Sequence, residues 1–136
     1  MTTLYIDTNV VIDAVEGRKN IFGKNIGNPA SDLFYQTISC KYHIIVSTWT
    51  LEELKNLGVL GTAKMFFEVV RKKTIMVTYT KEDKELAKQR SQEHPDDALH
   101  VILAEKQKAD FIVTRNTDHF KQIKPKMPIK KPEELL

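Results

Sequence analysis

The sequence predicts an α/β fold: three layers, α/β/α, around a central, mostly parallel sheet of four to five strands. Three observations predict it. Short apolar runs rich in β-branched residues (Leu4 to Ile6, Ile44 to Val46, Thr74 to Tyr79 and Phe111 to Thr114) are too short for helices and read as buried strands. Stretches with apolar residues at helical spacing lie between them. The chain has 136 residues, 41% hydrophobic and 29% charged, which fits one domain over 1–136 with a sizeable core. The same balance excludes a disordered, collagen-like or low-complexity chain. A single cysteine, Cys40, excludes a disulfide framework and a cysteine-based zinc cluster.

The elements follow in order. Leu4-Tyr5-Ile6 is a strand that stops at the polar Asp7-Thr8-Asn9. Val10 to Glu16 reads as a short helix closed by Gly17, and Arg18 to Gly27 as a loop. Asn28-Pro29 supplies an N-cap and a first-turn proline for a helix carrying Leu33, Phe34, Thr37 and Ile38. After the strand Ile44 to Val46, Ser47 or Thr48 caps a helix with Leu51, Leu54 and Leu57, punctuated by Gly58 and Gly61. Thr62 to Lys73 has helical spacing, and Thr74 to Tyr79 is the third strand. Thr80 with Asp83 begins another helix by a capping arrangement. Pro95 opens the helix Asp96 to Gln107, Phe111 to Thr114 is the fourth strand, and Met127 to Lys130 is a weaker edge strand.

Net charge is +3, from 21 basic and 18 acidic residues, too mild to name a partner alone. The excess lies in the second half, at Arg71 to Lys73 and at Lys121, Lys124, Lys126, Lys130 and Lys131, where phosphates could be neutralised. No run approaches the roughly 20 apolar residues that cross a bilayer. Met1-Thr2-Thr3 leads into an apolar run without a basic n-region. The expectation is a cytoplasmic protein with no membrane partner.

In open parallel sheets, ligands bind at the carboxyl ends of the strands, near the point where strand order reverses. Asp7 follows the first strand, Glu52-Glu53 lie in the helix after the second, and Asn116 and Asp118 follow the fourth. Asp96-Asp97 begin the helix leading into the fourth. Singly, each has a plain explanation as a helix cap, a dipole partner, an exposed helix residue or a turn former. Together they imply more. Glu53 flanks the apolar stripe of its helix, and Asp97 lies one turn before Val101, so both are drawn toward the sheet. Carboxylates gathered this way repel by roughly 4 kcal/mol per close pair at an effective dielectric near 20. No Lys or Arg lies obviously among them, whereas a divalent cation would resolve the conflict. Oxygen ligands suit Mg²⁺ or Mn²⁺.

Four segments, Ile6-Asp7-Thr8-Asn9, Val46 to Leu54, Asp97-Ala98-Leu99-His100 and Val113 to Thr117, resemble the successive motifs of the PIN domain in order and spacing. The likeness is greatest to the VapC-type ribonuclease toxins of prokaryotic toxin–antitoxin pairs, and it runs over nearly the whole chain. By that resemblance Asp7, Glu53 and Asp97 are the first three acidic site residues, holding one or two Mg²⁺ or Mn²⁺ ions. The fourth position falls on Asn116 or Asp118, because many relatives carry Asp where this chain has His119. Thr8, Asn9 and Thr114 support the acids by hydrogen bonds. Arg115 and the basic tail, Lys121 included, would grip flanking phosphates of RNA.

The implied activity is metal-dependent endoribonuclease cleavage, leaving 5′-phosphate and 3′-hydroxyl ends, in a homodimer answered by an antitoxin protein. The stripe Ile12, Val15, Leu33, Phe34 and Ile38 exceeds what one core needs and is available to such a partner. Two rivals differ in class. A haloacid-dehalogenase-type phosphohydrolase would need an acid where Asn9 stands. A non-catalytic PIN-like module would bind RNA or protein without cleavage. His43, His94, His100 and His119 lack metal-binding helical spacing and read as structural, Trp49 reads as packed against a helix or subunit, and Cys40 as a small apolar filler.

Overall fold

The computed structural model describes residues 2–21, 29–39 and 41–136. Their order is β1 (Thr2–Ile6), α1 (Thr8–Ile21), α2 (Pro29–Ile38), β2 (Tyr42–Ser47), α3 (Thr48–Asn56), α4 (Leu60–Val69), β3 (Thr74–Val77), α5 (Lys81–Arg90), α6 (Pro95–Lys106), β4 (Phe111–Val113), α7 (Thr117–Ile123) and β5 (Ile129–Lys130). The strands form one sheet in the order β3-β2-β1-β4-β5. Every pairing is parallel, with Leu4 opposite Ile44 on one side and Phe111 on the other. Parallel neighbours require crossovers, and the helices supply them.

Alternation along the strands fills two cores. Leu4, Ile6, Ile44, Val46 and Val113 pack against Val11 and Ala14 of α1, Leu33 and Phe34 of α2 and Phe66 of α4. Tyr5, Ile45 and Ile112 face the other way, onto Ala87 of α5, Leu99 and Leu103 of α6 and Phe120 of α7. Helix α3 caps the carboxyl ends of the strands and serves both layers, with Leu54 in the first core and Trp49 in the second. Trp49 meets the Tyr79 ring edge-on, with centroids 5.8 Å apart.

The expected caps form. The Ser47 hydroxyl accepts from the Thr50 amide at 3.1 Å, and Thr80 and Asp83 exchange side-chain bonds reciprocally. Other boundaries shift. Helix α1 starts at Thr8 and runs through Gly17 to Ile21, because glycine inside a helix costs only about 1 kcal/mol and does not stop one alone. The proposed loop and the Asn28 cap lie largely outside the described residues, as does Cys40. Gly61 is likewise helical, so α4 starts at Leu60. It ends at Val69, and Arg71–Lys73 form a separate 3₁₀ turn. β3 ends at Val77, and α7 occupies the stretch that the sequence read only as a turn. Leu33 and Phe34 are fully buried and Val15 nearly so, which means these three are consumed by the chain's own core rather than left for a partner, while Ile12 is only partly buried. The side chain of Ile38 lies outside the described set.

One polar clamp fixes α7 against α6. Arg90 forms a fork to Glu105 at 2.5 and 2.9 Å and donates to the carbonyls of Ile123 at 3.3 Å and Lys124 at 2.9 Å. Burial raises the Glu105 carboxyl, but Arg90 and the Lys126 amide outweigh it and hold it below its ordinary value. A depressed folded value contributes stability above the unfolded one, lost as pH falls through it. Replacing Arg90→Ala should cost about 2 kcal/mol in urea unfolding near neutrality. The difference from wild type should shrink on acidification toward the pH where Glu105 protonates. A pH-independent difference would contradict the clamp.

Candidate active site

Strand order runs one way from β1 to β2 and β3 and the other way from β1 to β4 and β5, so the reversal lies between β1 and β4. Asp7 stands there. Its amide donates to the Val113 carbonyl at 3.0 Å, joining the strand ends, and its carbonyl accepts from Val10 as α1 begins. Asp7 therefore occupies a helix-capping position, but its side chain is turned to other partners. Oδ1 accepts from the Thr8 amide at 2.8 Å and Oδ2 from the Thr114 hydroxyl at 2.7 Å. The residue is 3% exposed. Burial pushes its carboxyl above the ordinary value. His100, Thr114 and Thr8 pull against that rise, and the charge of Asp97 adds to it.

Glu53 comes from α3. Its Oε1 accepts from the Thr8 hydroxyl at 2.6 Å and faces His100 Nε2 at 2.7 Å. Burial raises its carboxyl, yet the bond and charge of His100, with Thr8, outweigh burial and lower it overall. Glu52, one residue and about 100° earlier on the helix, instead accepts from the Tyr79 hydroxyl on the other flank.

His100 is the residue that sequence reasoning missed. Among the described residues it stands between the acids where no Lys or Arg was in view. Nε2 lies 2.7 Å from Glu53 and 3.4 Å from Asp7, while Nδ1 lies 2.7 Å from the Tyr5 hydroxyl. That hydroxyl donates onward to Ser47 at 2.8 Å. Burial disfavours its charge, but Tyr5, Glu53 and Asp7 together raise it well above an ordinary imidazole. The repulsion that the sequence assigned to a metal alone is thus relieved in part by the buried His100 ring, whose charged form the two acids favour. The available signal was spacing: His100 follows Asp97 by three residues and shares its helix face.

A cleft of about 200 Å³ is lined by Asp7, Thr8, Asn9, Ile12, Glu53, Leu57, Asp97 and Asn116. Its polar side chains are three carboxylates, two amides and a hydroxyl, an oxygen-rich set that fits a hard divalent cation. Thr114 underlies it, accepting the Asn116 amide at 3.0 Å, and Asn9 accepts from the Arg115 amide at 3.4 Å. The structure does not bring Asp118 to this cleft. Two positions past Asn116, it lies exposed in the first turn of α7, rotated away by helical geometry. Arg115 has other work, since its guanidinium binds Asp13 at 2.9 Å and Glu133 at 2.8 Å. Lys121 is exposed on α7.

The fold also assembles what linear spacing concealed. His94, at the start of α6, and His119, in the first turn of α7, stack with centroids 4.1 Å apart. His119 Nδ1 lies 3.3 Å from Asp97 Oδ2.

The sequence matches the PIN domain family over residues 3–118. The chain belongs to the PIN domain family. Members of that family are nucleases that use divalent metal. Among solved structures this PIN domain is similar to VapBC2 from Rickettsia felis, crystallised bound to a DNA fragment from their promoter. The TM-score is 0.64 at 15% identity, covering 96% of this chain and 98% of that one. It is also similar to VapBC-1 from nontypeable Haemophilus influenzae, with a TM-score of 0.58 at 14% identity, covering 97% of this chain and 99% of that one. At such identities the likeness is one of fold. No curated protein sequence matches the chain.

Removing the imidazole from this PIN domain leaves two carboxylates facing each other. His100→Gln should cost about 3 kcal/mol in metal-free protein. Combined with Asp7→Asn it should cost at least about 1 kcal/mol less than the sum of the single losses. Additive losses in denaturant unfolding would show that His100 does not hold the acids together.

Proposed function

We propose that this PIN domain is a divalent-metal-dependent endoribonuclease, acting as the toxin of a toxin–antitoxin pair. The observation that carries the proposal is the convergence of Asp7, Glu53 and Asp97, from three separate elements, on one cleft with Asn116. Asp7, Glu53 and Asp97 would hold Mg²⁺ or Mn²⁺, with Asn116 beside them. When bound, the ion supplies Lewis-acid polarisation and acidifies water for attack on phosphorus.

The chain's own groups prepare that chemistry. Thr8 and Thr114 fix the Asp7 oxygens, and Thr8 with His100 positions Glu53. Hydrolysis would leave 5′-phosphate and 3′-hydroxyl ends. Lys121 and the lysines of the tail are the groups offered to flanking phosphates. Arg115 would have to release Asp13 or Glu133 to join them.

Two toxin–antitoxin assemblies among the similar structures support an antitoxin partner. Leu57, Met65 and Val69 are more than half exposed and offer apolar surface to it or to a second copy in a homodimer. The non-catalytic reading draws on one observation: His100 already bridges Asp7 and Glu53 and eases their repulsion in part without metal.

RNA distinguishes the two. Brief expression of the wild type should generate new 5′-phosphate ends in total cellular RNA. Asp97→Asn, folded by circular dichroism, should reduce them by at least about a hundredfold, the scale on which loss of a group that stabilises transition-state charge acts. Ends of equal yield from both proteins would place cleavage elsewhere. No ends from a folded wild type that binds no Mn²⁺ would favour the binding module.

A further inference from the structure

His94, Asp97 and His119 each offer a ligand atom, and these atoms all lie within 4.8 Å of one another. The three are brought together by two helices that meet only in the folded chain. Helix α6 begins at Pro95, so His94 is its N-cap residue and Asp97 its third residue, both in the same turn. His119 arrives from the opposing first turn of α7, held in place where Arg90 clamps the far end of that helix.

Two features set this trio apart from ordinary packing. Helix starts favour Ser, Thr, Asp or Asn, whose oxygens cap free amides. His94 occupies that position with no side-chain cap bond, and its own backbone is instead secured by its amide donating to Ser91 at 2.9 Å. Proteins break such local rules mainly at functional or strained sites. The stacked rings also carry a carboxylate at their edge, Asp97 Oδ2 at 3.3 Å from His119 Nδ1, which stacking does not need. Side-chain exposures of 23% for His94, 21% for Asp97 and 46% for His119 leave the group partly desolvated yet open to an ion.

We infer that His94, Asp97 and His119 form a binding site for a borderline transition-metal ion, with Zn²⁺ strongly preferred over Mg²⁺. Two imidazole nitrogens and one carboxylate oxygen match Zn²⁺ and Co²⁺, whereas Mg²⁺ demands oxygen and holds its water. Zinc bonds near 2.1 Å at tetrahedral angles put donor atoms about 3.4 Å apart, so separations within 4.8 Å close by at most about 1.4 Å. Rotation of the exposed His119 and the half-buried His94 out of their stack supplies that movement and turns both ring-nitrogen lone pairs toward the ion. Three protein ligands leave a fourth position for water or an incoming group. The site adjoins the oxygen-lined cleft through Asp97, which borders both, and it stands whether or not the chain cleaves RNA.

The test uses the untagged full chain, stripped of metal and titrated with Co²⁺. One equivalent should bind with the visible bands of nitrogen-ligated cobalt. Zn²⁺ should displace it, and a large excess of Mg²⁺ should not. His94→Gln and His119→Gln should each weaken Co²⁺ binding at least about tenfold. Asp7→Asn should leave the cobalt spectrum intact while abolishing RNA cleavage, so failure of one reading is distinct from failure of the other. If either histidine variant misfolds, proton spectra of the wild type decide: Co²⁺ should broaden the His94 and His119 ring signals first. Unchanged affinity in both folded variants, displacement by Mg²⁺, or broadening confined to other histidines would overturn the inference.

Discussion

A buried carboxylate organises this molecule. Asp7 lies almost wholly out of water at the strand-order reversal, where an isolated charge would cost several kcal/mol even after relaxation. The fold offsets part of that cost with the Thr8 amide, the Thr114 hydroxyl and the His100 ring. Each contact ties down a different element: α1, the end of β4, and α6. The arrangement of the sheet edge and the arrangement of the cleft are therefore one problem with one solution.

Helix α6 is where the consequences gather. Its face toward the sheet sends His100 between Asp7 and Glu53, backed by Tyr5 and Ser47 in a chain of buried bonds that reaches the cap of α3. Its first turn places Asp97 at the cleft and within reach of His119. The histidine bridge holds Asp7 and Glu53 to one ring nitrogen in the folded chain. The same bridge sets a competition, since a metal drawing on Glu53 Oε1 must contend with His100 and Thr8 for that atom.

Much of this was legible in the sequence because it rests on periodicity and punctuation. Short β-branched runs gave the first four strands, and Met127 to Lys130 foreshadowed β5. Ser47, Thr80 and Pro95 marked helix starts that the structure retains. Asp7 and Asn116 follow strand ends, Glu53 and Asp97 lie on helices and are singled out by the likeness to PIN motifs, and the fold brings those four to one cleft. What escaped depends on contacts between distant residues. Gly17 looks like a terminator locally, but neighbouring Val15, Ala14 and Val11 are anchored in the core and the helix carries on. His100 looks like one more buried residue until Tyr5 and Glu53 approach from elsewhere. His94 and His119 are 25 positions apart in sequence and meet only when α7 folds back on α6. Arg115 looks free for phosphate in the sequence, and only the fold shows it paired with Asp13 and Glu133.

The most direct test of the acidic site is anomalous diffraction from crystals of the protein soaked in Mn²⁺. An Mn²⁺ peak bounded by oxygens of Asp7, Glu53 and Asp97, lost in Asp7→Asn, is the predicted result. Saturating Mn²⁺ with no peak in that cleft, and His100 still bridging Asp7 and Glu53, would contradict a metal-dependent site there.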